Sequence, residues 1–340
     1  MSYLDTIKQM SDDVFLEHII SYVVLIVAII IFIYFIVVTI RDGNIANTEC
    51  QKMNSLYPSL NNTIRPINNN DPVCRKKLKE YYVKTAYNAC SGGDYKNDYV
   101  DICNLMAVIR QGVRCLDFEI YSVNNQPIVS TSTIKNFHVK ETYDSVPFST
   151  VMSTIQNYAF ASGTCPNYTD PLFIHLRIKS KNQRMYENLS RIFQTYSNRM
   201  LGSSFSYNAS SGSLANASLL SLQNKIIVIV SKENTDFMNN APLMEFVNML
   251  SNSIEMRMYR YKYFENNMNN IDSKNELETF NKSNMTIVLP NNGNLPDNPD
   301  AKLCRKFGCQ FVAMIFQQPD EQLREYNSFF DRAGYAFAPK

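Results

Sequence analysis

Two acids, two residues apart, are the first residues in this chain whose type and spacing could do chemistry. In Cys115-Leu116-Asp117-Phe118-Glu119-Ile120-Tyr121, apolar residues alternate with Asp117, Glu119 and Tyr121, the period of a β-strand. Both carboxylates therefore point to one face. Such a pair at the end of a barrel strand, followed by a turn at Asn124-Asn125 and the extended run Gln126-Pro127-Ile128-Val129, suits a divalent metal or a cationic partner. A solvated strand face is the plainer alternative. The same alternation places His175, Arg177 and Lys179 on one face of a second strand, expected to look where the carboxylates look. His175 there reads as a packed, hydrogen-bonded core residue.

Other reactive types are sparse. There are three histidines. His18 borders an apolar stretch, and His138 lies in Asn136-Phe137-His138-Val139-Lys140, where a displaced base is a weak alternative. Cys90 and Cys115 have no matched histidine to activate a thiolate. No CxxC spacing for zinc, Gly-rich phosphate loop or GxSxG elbow occurs.

The elements that must hold these residues follow from pattern. Strands are predicted over 82–88, 113–121, 126–130, 172–179, 225–231, 256–264, 286–289, 311–317 and 335–338. Helices are predicted over 100–110, 148–161, 182–200, 243–251 and 321–330. Alternating strand and helix implies a parallel sheet, and this many units implies a (β/α) TIM-type barrel of the α/β class. Residues 203–218 form a low-complexity loop, and 264–283 is a polar, Asn-rich linker.

Ahead of the barrel, residues 19–40 are 22 uncharged residues rich in Ile, Val and Phe. At about 1.5 Å per residue they span roughly 30 Å, the thickness of a bilayer core. The start is not basic and no small-residue cleavage site follows, so an uncleaved single transmembrane helix is expected. The organisation is then 1–18, a short polar head; 19–40, the membrane helix; 41–80, an Asn/Pro-rich stalk; and 81–340, the barrel. Arg41 and Lys52 against Lys8 favour a cytoplasmic barrel, whereas eight cysteines, all after the anchor, permit disulfides on an oxidising side. Options include Cys304 with Cys309, or stalk cysteines with the barrel. Seven Asn-x-Ser/Thr sequons are near chance in so Asn-rich a chain. With a formal net charge of +2 and 19% charged residues, nothing suggests a nucleic-acid partner.

The segment Gln111-Gly112-Val113-Arg114-Cys115-Leu116-Asp117-Phe118-Glu119 resembles the core of the phosphoinositide-specific phospholipase C catalytic domain. So do Tyr82-Val83-Lys84-Thr85-Ala86-Tyr87-Asn88 upstream and Phe307-Gly308-Cys309-Gln310-Phe311-Val312-Ala313-Met314-Ile315-Phe316-Gln317 near the end. The resemblance implies a phospholipase-C-like phosphodiesterase barrel over roughly 81–340. It also implies that the chemistry is degenerate. The two catalytic histidine positions fall on Tyr87 and Thr133, and the calcium-ligand positions fall on Asn88, Asp117, Glu119 and Arg177. The family's substrate-clamping arginine and aromatic fall near Ile287 and Leu289. An arginine cannot ligate calcium, so no metal or other cofactor is expected. With its anchor and cysteine-bearing stalk, the chain looks like membrane-anchored barrel proteins of large DNA viruses. This reading implies a single-pass protein of a membrane or virion, acting as a binding or structural module. Its partners would be the bilayer through 19–40, a phospholipid headgroup, or other membrane or capsid proteins. The alternative is a phosphoric diester hydrolase working on a headgroup through a rearranged site.

Overall fold

The computed structural model describes residues 3–135, 137–209 and 214–340. The low-complexity loop 203–218 thus lies partly outside the described residues. The chain divides into two compact units, Met1–Thr48 and Glu49–Lys340.

The first unit is helical. Helix α1 (Tyr3–Leu56) begins inside the expected polar head and continues past the apolar stretch into the second unit. Residues 19–40 carry no Asp, Glu, Lys or Arg and their side chains are almost all exposed, Phe32 at 66%. A soluble helix exposing this many large apolar residues would forfeit the hydrophobic effect along its whole length. The helix is long and apolar enough to cross a membrane, with a mean hydropathy of 3.4 over its most apolar window.

The second unit is a nearly closed barrel. Its strands are β1 (Tyr81–Ala86), β2 (Cys115–Val123), β3 (Gln126–Ser130), β4 (Val146–Pro147), β5 (Leu172–Ile178), β6 (Ile226–Ser231), β7 (Val247–Ser251), β8 (Met256–Arg260), β9 (Met285–Leu289), β10 (Phe311–Met314) and β11 (Phe337–Pro339). Eight run parallel in the order β7-β6-β5-β2-β1-β10-β9-β8. The seam lies between β7 and β8, the two ends of that order. Strands β3 and β4 extend β2 as an antiparallel flap, and β11 pairs antiparallel with β1. Around the barrel lie α2 (Ile102–Arg110), α3 (Phe148–Thr154), α4 (Gln183–Thr195), α5 (Ala241–Met244), α6 (Tyr261–Asn267), α7 (Ile271–Ser283), α8 (Ala301–Lys306) and α9 (Glu321–Ala333).

Alternation decides what faces inward. Asp117 is level with His175 and Glu119 with Arg177 across the β2–β5 ladder. The intervening Leu116, Phe118 and Ile120 point outward under the helices, where Phe118 meets Phe148 edge-on at 6.5 Å. Beneath the polar layer, Phe173, Phe311 and Phe337 close the barrel's interior, with ring centroids 5.4 and 6.3 Å apart.

Three expected elements are corrected. The helix read over 243–251 is a turn of helix, α5, followed by strand β7. Its run Val247-Asn248-Met249-Leu250-Ser251 is too short for periodicity to separate a buried helix from a buried strand. The linker read over 264–283 is helical in α6 and α7, and the second is opened by an N-cap, Asn270, whose Oδ1 accepts from Asp272 N. The stalk read over 41–80 does not stand apart from the barrel. From Glu49 on it belongs to the barrel unit, and Met53, Tyr57, Ile64, Ile67, Cys74 and Leu78 are buried in its core. Polar clamps fix it: Tyr57 donates to Phe316 O at 2.7 Å, and Asp170 Oδ1 accepts from Ile67 N at 2.8 Å. Cys50 and Cys103 form a disulfide, with Cα atoms 5.8 Å apart. It joins a stalk cysteine to the barrel, one of the expected options. Cys304 and Cys309 are both free and buried.

Candidate functional site

The inward faces of β1, β2 and β5 bring six of the seven sequence-derived residues together at the C-terminal mouth. Asp117, Glu119 and Arg177 are at most 2% exposed, as are Asn88 and His175, and Tyr87 is 4% exposed. Uncompensated carboxylates could not be buried so deeply. Arg177 supplies the compensation. Its Nε donates to Asp117 Oδ1 at 3.0 Å, and its Nη2 to Asp117 Oδ2 at 2.7 Å. Its Nη1 donates to Glu119 Oε1. The same Nη2 reaches Asn88 Oδ1 at 2.6 Å. One planar fork thus holds both acids and the asparagine, a geometry a lysine could not reproduce.

The remaining lone pairs are also taken. His175 Nδ1 lies 2.6 Å from Asp117 Oδ1, and its Nε2 lies 2.8 Å from Ser251 Oγ. Tyr121 donates to Glu119 Oε2 at 2.6 Å. Asn88, at the end of β1, adopts the left-handed backbone (φ 42°), which turns its N–H onto Asp117 Oδ2 at 3.2 Å. Asn tolerates that conformation at small cost. Burial alone would raise the Asp117 carboxyl, but the Arg177 charge and the His175 hydrogen bond outweigh it and hold it well below the usual carboxylate range. Burial would also lower Arg177, yet Asp117, Tyr87 and Glu119 raise it further, so it stays a cation.

Tyr87 caps the cluster. The Arg177 guanidinium carbon sits 4.5 Å from the centre of its ring, a cation–π contact. Its hydroxyl accepts from Arg260 Nη1 at 2.9 Å, and that nitrogen also donates to Pro290 O at 2.9 Å. Sequence reasoning missed Arg260, Ser251 and Tyr121 as parts of this arrangement. Tyr121 could have been found, since it shares the alternation of Asp117 and Glu119. Arg260 and Ser251 arrive from distant strands and left no local signal.

Thr133 is not brought in. Its N–H and Oγ1 both donate to Glu141 Oε2 at 2.6 Å, and Lys96 pairs with that carboxylate at 3.2 Å. His138 is exposed, on a loop at φ 70°. Above Arg177, a hollow lined by Phe137, Lys179, Ser231, Glu233 and Asn234 holds no space for a water molecule among the described residues.

A parallel eight-stranded barrel with an acid-bearing second strand and an antiparallel flap can be compared with known proteins. Residues 74–232 match the family profile described as phosphatidylinositol-specific phospholipase C, X domain. This is a phospholipase-C-like barrel. Among solved structures, PLC21 of L. pealei aligns with a TM-score of 0.63 at 14% identity, and PLC21 of S. officinalis with 0.60 at 15%. Each alignment covers 78% of this chain and 37% of the other, so the chain spans little more than a third of those proteins. A calcium-dependent phosphoinositol-specific phospholipase C from Pseudomonas sp aligns over 83% of this chain at 11% identity, with a TM-score of 0.49. No curated protein matches by sequence.

The family resemblance implies calcium, and the residues of this phospholipase-C-like barrel do not fit it. The oxygens that would ligate the ion, on Asn88, Asp117 and Glu119, are the acceptors of the Arg177 guanidinium. A divalent ion there would face a buried cation. Among the described residues, no group of three His, Cys, Asp or Glu side chains is arranged to hold a metal ion.

Proposed function

We propose that this protein is a membrane-anchored, catalytically silent phospholipase-C-like barrel that serves as a binding or structural module. The observation that carries this reading is Arg177, whose guanidinium takes the place of a cation between Asp117 and Glu119. Support comes also from Tyr87, which stacks on Arg177 and is hydrogen-bonded by Arg260 where the resemblance implies an imidazole. Where the resemblance implies imidazoles, Tyr87 and Thr133 bring a phenol and an alcohol. General acid–base catalysis by such imidazoles contributes about 100- to 10,000-fold.

The long apolar segment of α1 supports single-pass attachment to a bilayer. The Cys50–Cys103 disulfide favours an oxidising environment for the barrel. A virion membrane is the finer reading; it rests on the likeness of anchor plus barrel to viral proteins. The test is direct. Full-length protein in detergent, given phosphatidylinositol vesicles, should release no headgroup with or without calcium. Calcium-dependent release that disappears in Asp117→Ala would overturn the proposal and establish the hydrolase alternative.

A further inference from the structure

The opposite end of the barrel carries a hollow that the degenerate centre does not account for. It has a volume of about 430 Å³ and is bordered by Lys76, Lys79, Lys282, Arg305, Lys306 and Lys340, with Glu80 and Glu278 as its acids. The sequence explains the convergence. Lys76 and Lys79 precede β1, Lys282 precedes β9, and Arg305 and Lys306 precede β10. Lys340 follows β11, which runs antiparallel to β1. All six therefore meet at the N-terminal end of the strands, away from Arg177. The whole chain carries a net charge of only +2, so this is a local concentration of positive charge.

Part of that charge is already committed. Arg305 Nη2 pairs with Glu325 at 2.6 Å, and its guanidinium lies 4.0 Å from the Phe329 ring centre. Lys340 Nζ donates to Gly308 O at 2.7 Å and Asn281 O at 3.2 Å. Among the described residues, the ammonium groups of Lys76, Lys79, Lys282 and Lys306 have no ion pair or hydrogen bond. Glu80 meanwhile turns its carboxylate to its own backbone, accepting from Lys77 N at 2.9 Å. Lysines in the last turns of α7 and α8 would complement the helix dipoles without any ligand. That explanation covers Lys282 and Lys306 but not Lys76 and Lys79, which lie outside the α-helices.

We propose that this hollow is a binding site for a small, multiply phosphorylated anion. Four free ammonium groups around one concavity repel one another, and phosphate oxygens offer the acceptors that would relieve them. The Tyr82 ring, which has the Lys340 ammonium 5.8 Å from its centre, and Phe307 give the hollow an apolar wall for the framework that carries the phosphates. The recognition chemistry is the same whether the anion is drawn from solution or borne on a lipid.

The test uses the full chain in phosphatidylcholine nanodiscs and isothermal titration. One arm adds tripolyphosphate, and the other a dioctanoyl lipid with a bisphosphorylated inositol headgroup. Saturable binding in either arm is expected, and the tighter arm identifies the source. Each charge-assisted hydrogen bond lost should weaken binding roughly tenfold, so Lys76→Ala/Lys79→Ala should lose about 100-fold at unchanged melting temperature. Affinity should also fall as salt rises, because the Debye length shortens from about 10 Å at 0.1 M to about 3 Å at 1 M. Lys225→Ala, far along the chain and outside the hollow, should bind as wild type does. If the first variant fails to fold, Lys282→Gln/Lys306→Gln replaces it with the same expectation. No saturable binding at millimolar ligand in either arm, or equal affinity in wild type and a folded variant, overturns the proposal.

Discussion

At the C-terminal mouth of the barrel, one guanidinium is shared by two carboxylates and an amide, and the hollow above it has no room for water among the described residues. At the N-terminal end, four ammonium groups border an open hollow of about 430 Å³ and have no partner among the described residues. Both ends concentrate charge. The first resolves it internally, by burying both carboxylates against Arg177. The second leaves it at the solvent, where water and salt screen the mutual repulsion but do not neutralise it, so the charges remain available to a ligand. The barrel thus differs at its two ends in what can be bound, not merely in sign.

Arg177→Ala should produce the largest effect. It strands two buried carboxylates, and removing one partner from such a set costs about 3–5 kcal/mol. Chemical denaturation of the variant would measure this. A loss under about 1 kcal/mol would mean that the mouth is hydrated and that the contrast between the ends is false. Replacing the whole set, as in Arg177→Met with Asp117→Asn and Glu119→Gln, should recover much of the loss, because no unpaired charge is left behind.

Lys84 separates burial from pairing. It is fully buried in β1, like Arg177, but among the described residues its Nζ donates only to Gln111 O at 2.9 Å. Burial pulls its pKa down from 10.5 to about 8, against a weak opposing pull from Asp331. The unfolded chain therefore holds more protons between those values, and stability should rise with pH from about 8 to 10.5, by up to about 3 kcal/mol. Denaturation midpoints of wild type and Lys84→Met across that window should converge as the pH rises. A constant gap between them would show that Lys84 is neutral, or charged, throughout.

Arg177→Glu sharpens the comparison differently. It removes the internal cation and adds an oxygen ligand beside Asn88, Asp117 and Glu119. Calorimetry should then detect calcium binding that wild type lacks, with no hydrolysis, because Tyr87 and Thr133 remain. Tyr87→Phe should be milder. It removes the Arg260 hydrogen bond but keeps the ring over Arg177, for a loss of about 1 kcal/mol in thermal denaturation. Smallest of all should be Lys76→Ala/Lys79→Ala without ligand, within about 0.5 kcal/mol of wild type.

Most of the barrel was legible because its central strands are short apolar runs between polar turns. The acid pair and Arg177 were legible for a stronger reason: a period of two leaves no choice of face once Leu116, Phe118 and Ile120 are buried. What escaped was whatever lacks a period. Residues 57–80 pack through isolated side chains such as Ile64, Ile67 and Leu78, each buried alone among polar neighbours. Arg260 and Ser251 reach the mouth from strands whose order around the barrel no local pattern states. The chain's abundant asparagine has a mechanical use. Six of the seven described non-glycine residues at positive φ are Asn, in a chain with only ten glycines.

The Cys50–Cys103 bond links residues 53 positions apart, and that span includes β1. Tension entering the barrel from the direction of α1 would reach Cys50 and cross the sulfurs to Cys103. The span between them, which could otherwise extend by about 180 Å, is held out of the load path. A pull transmitted along α1 would therefore not peel the first strand from the barrel.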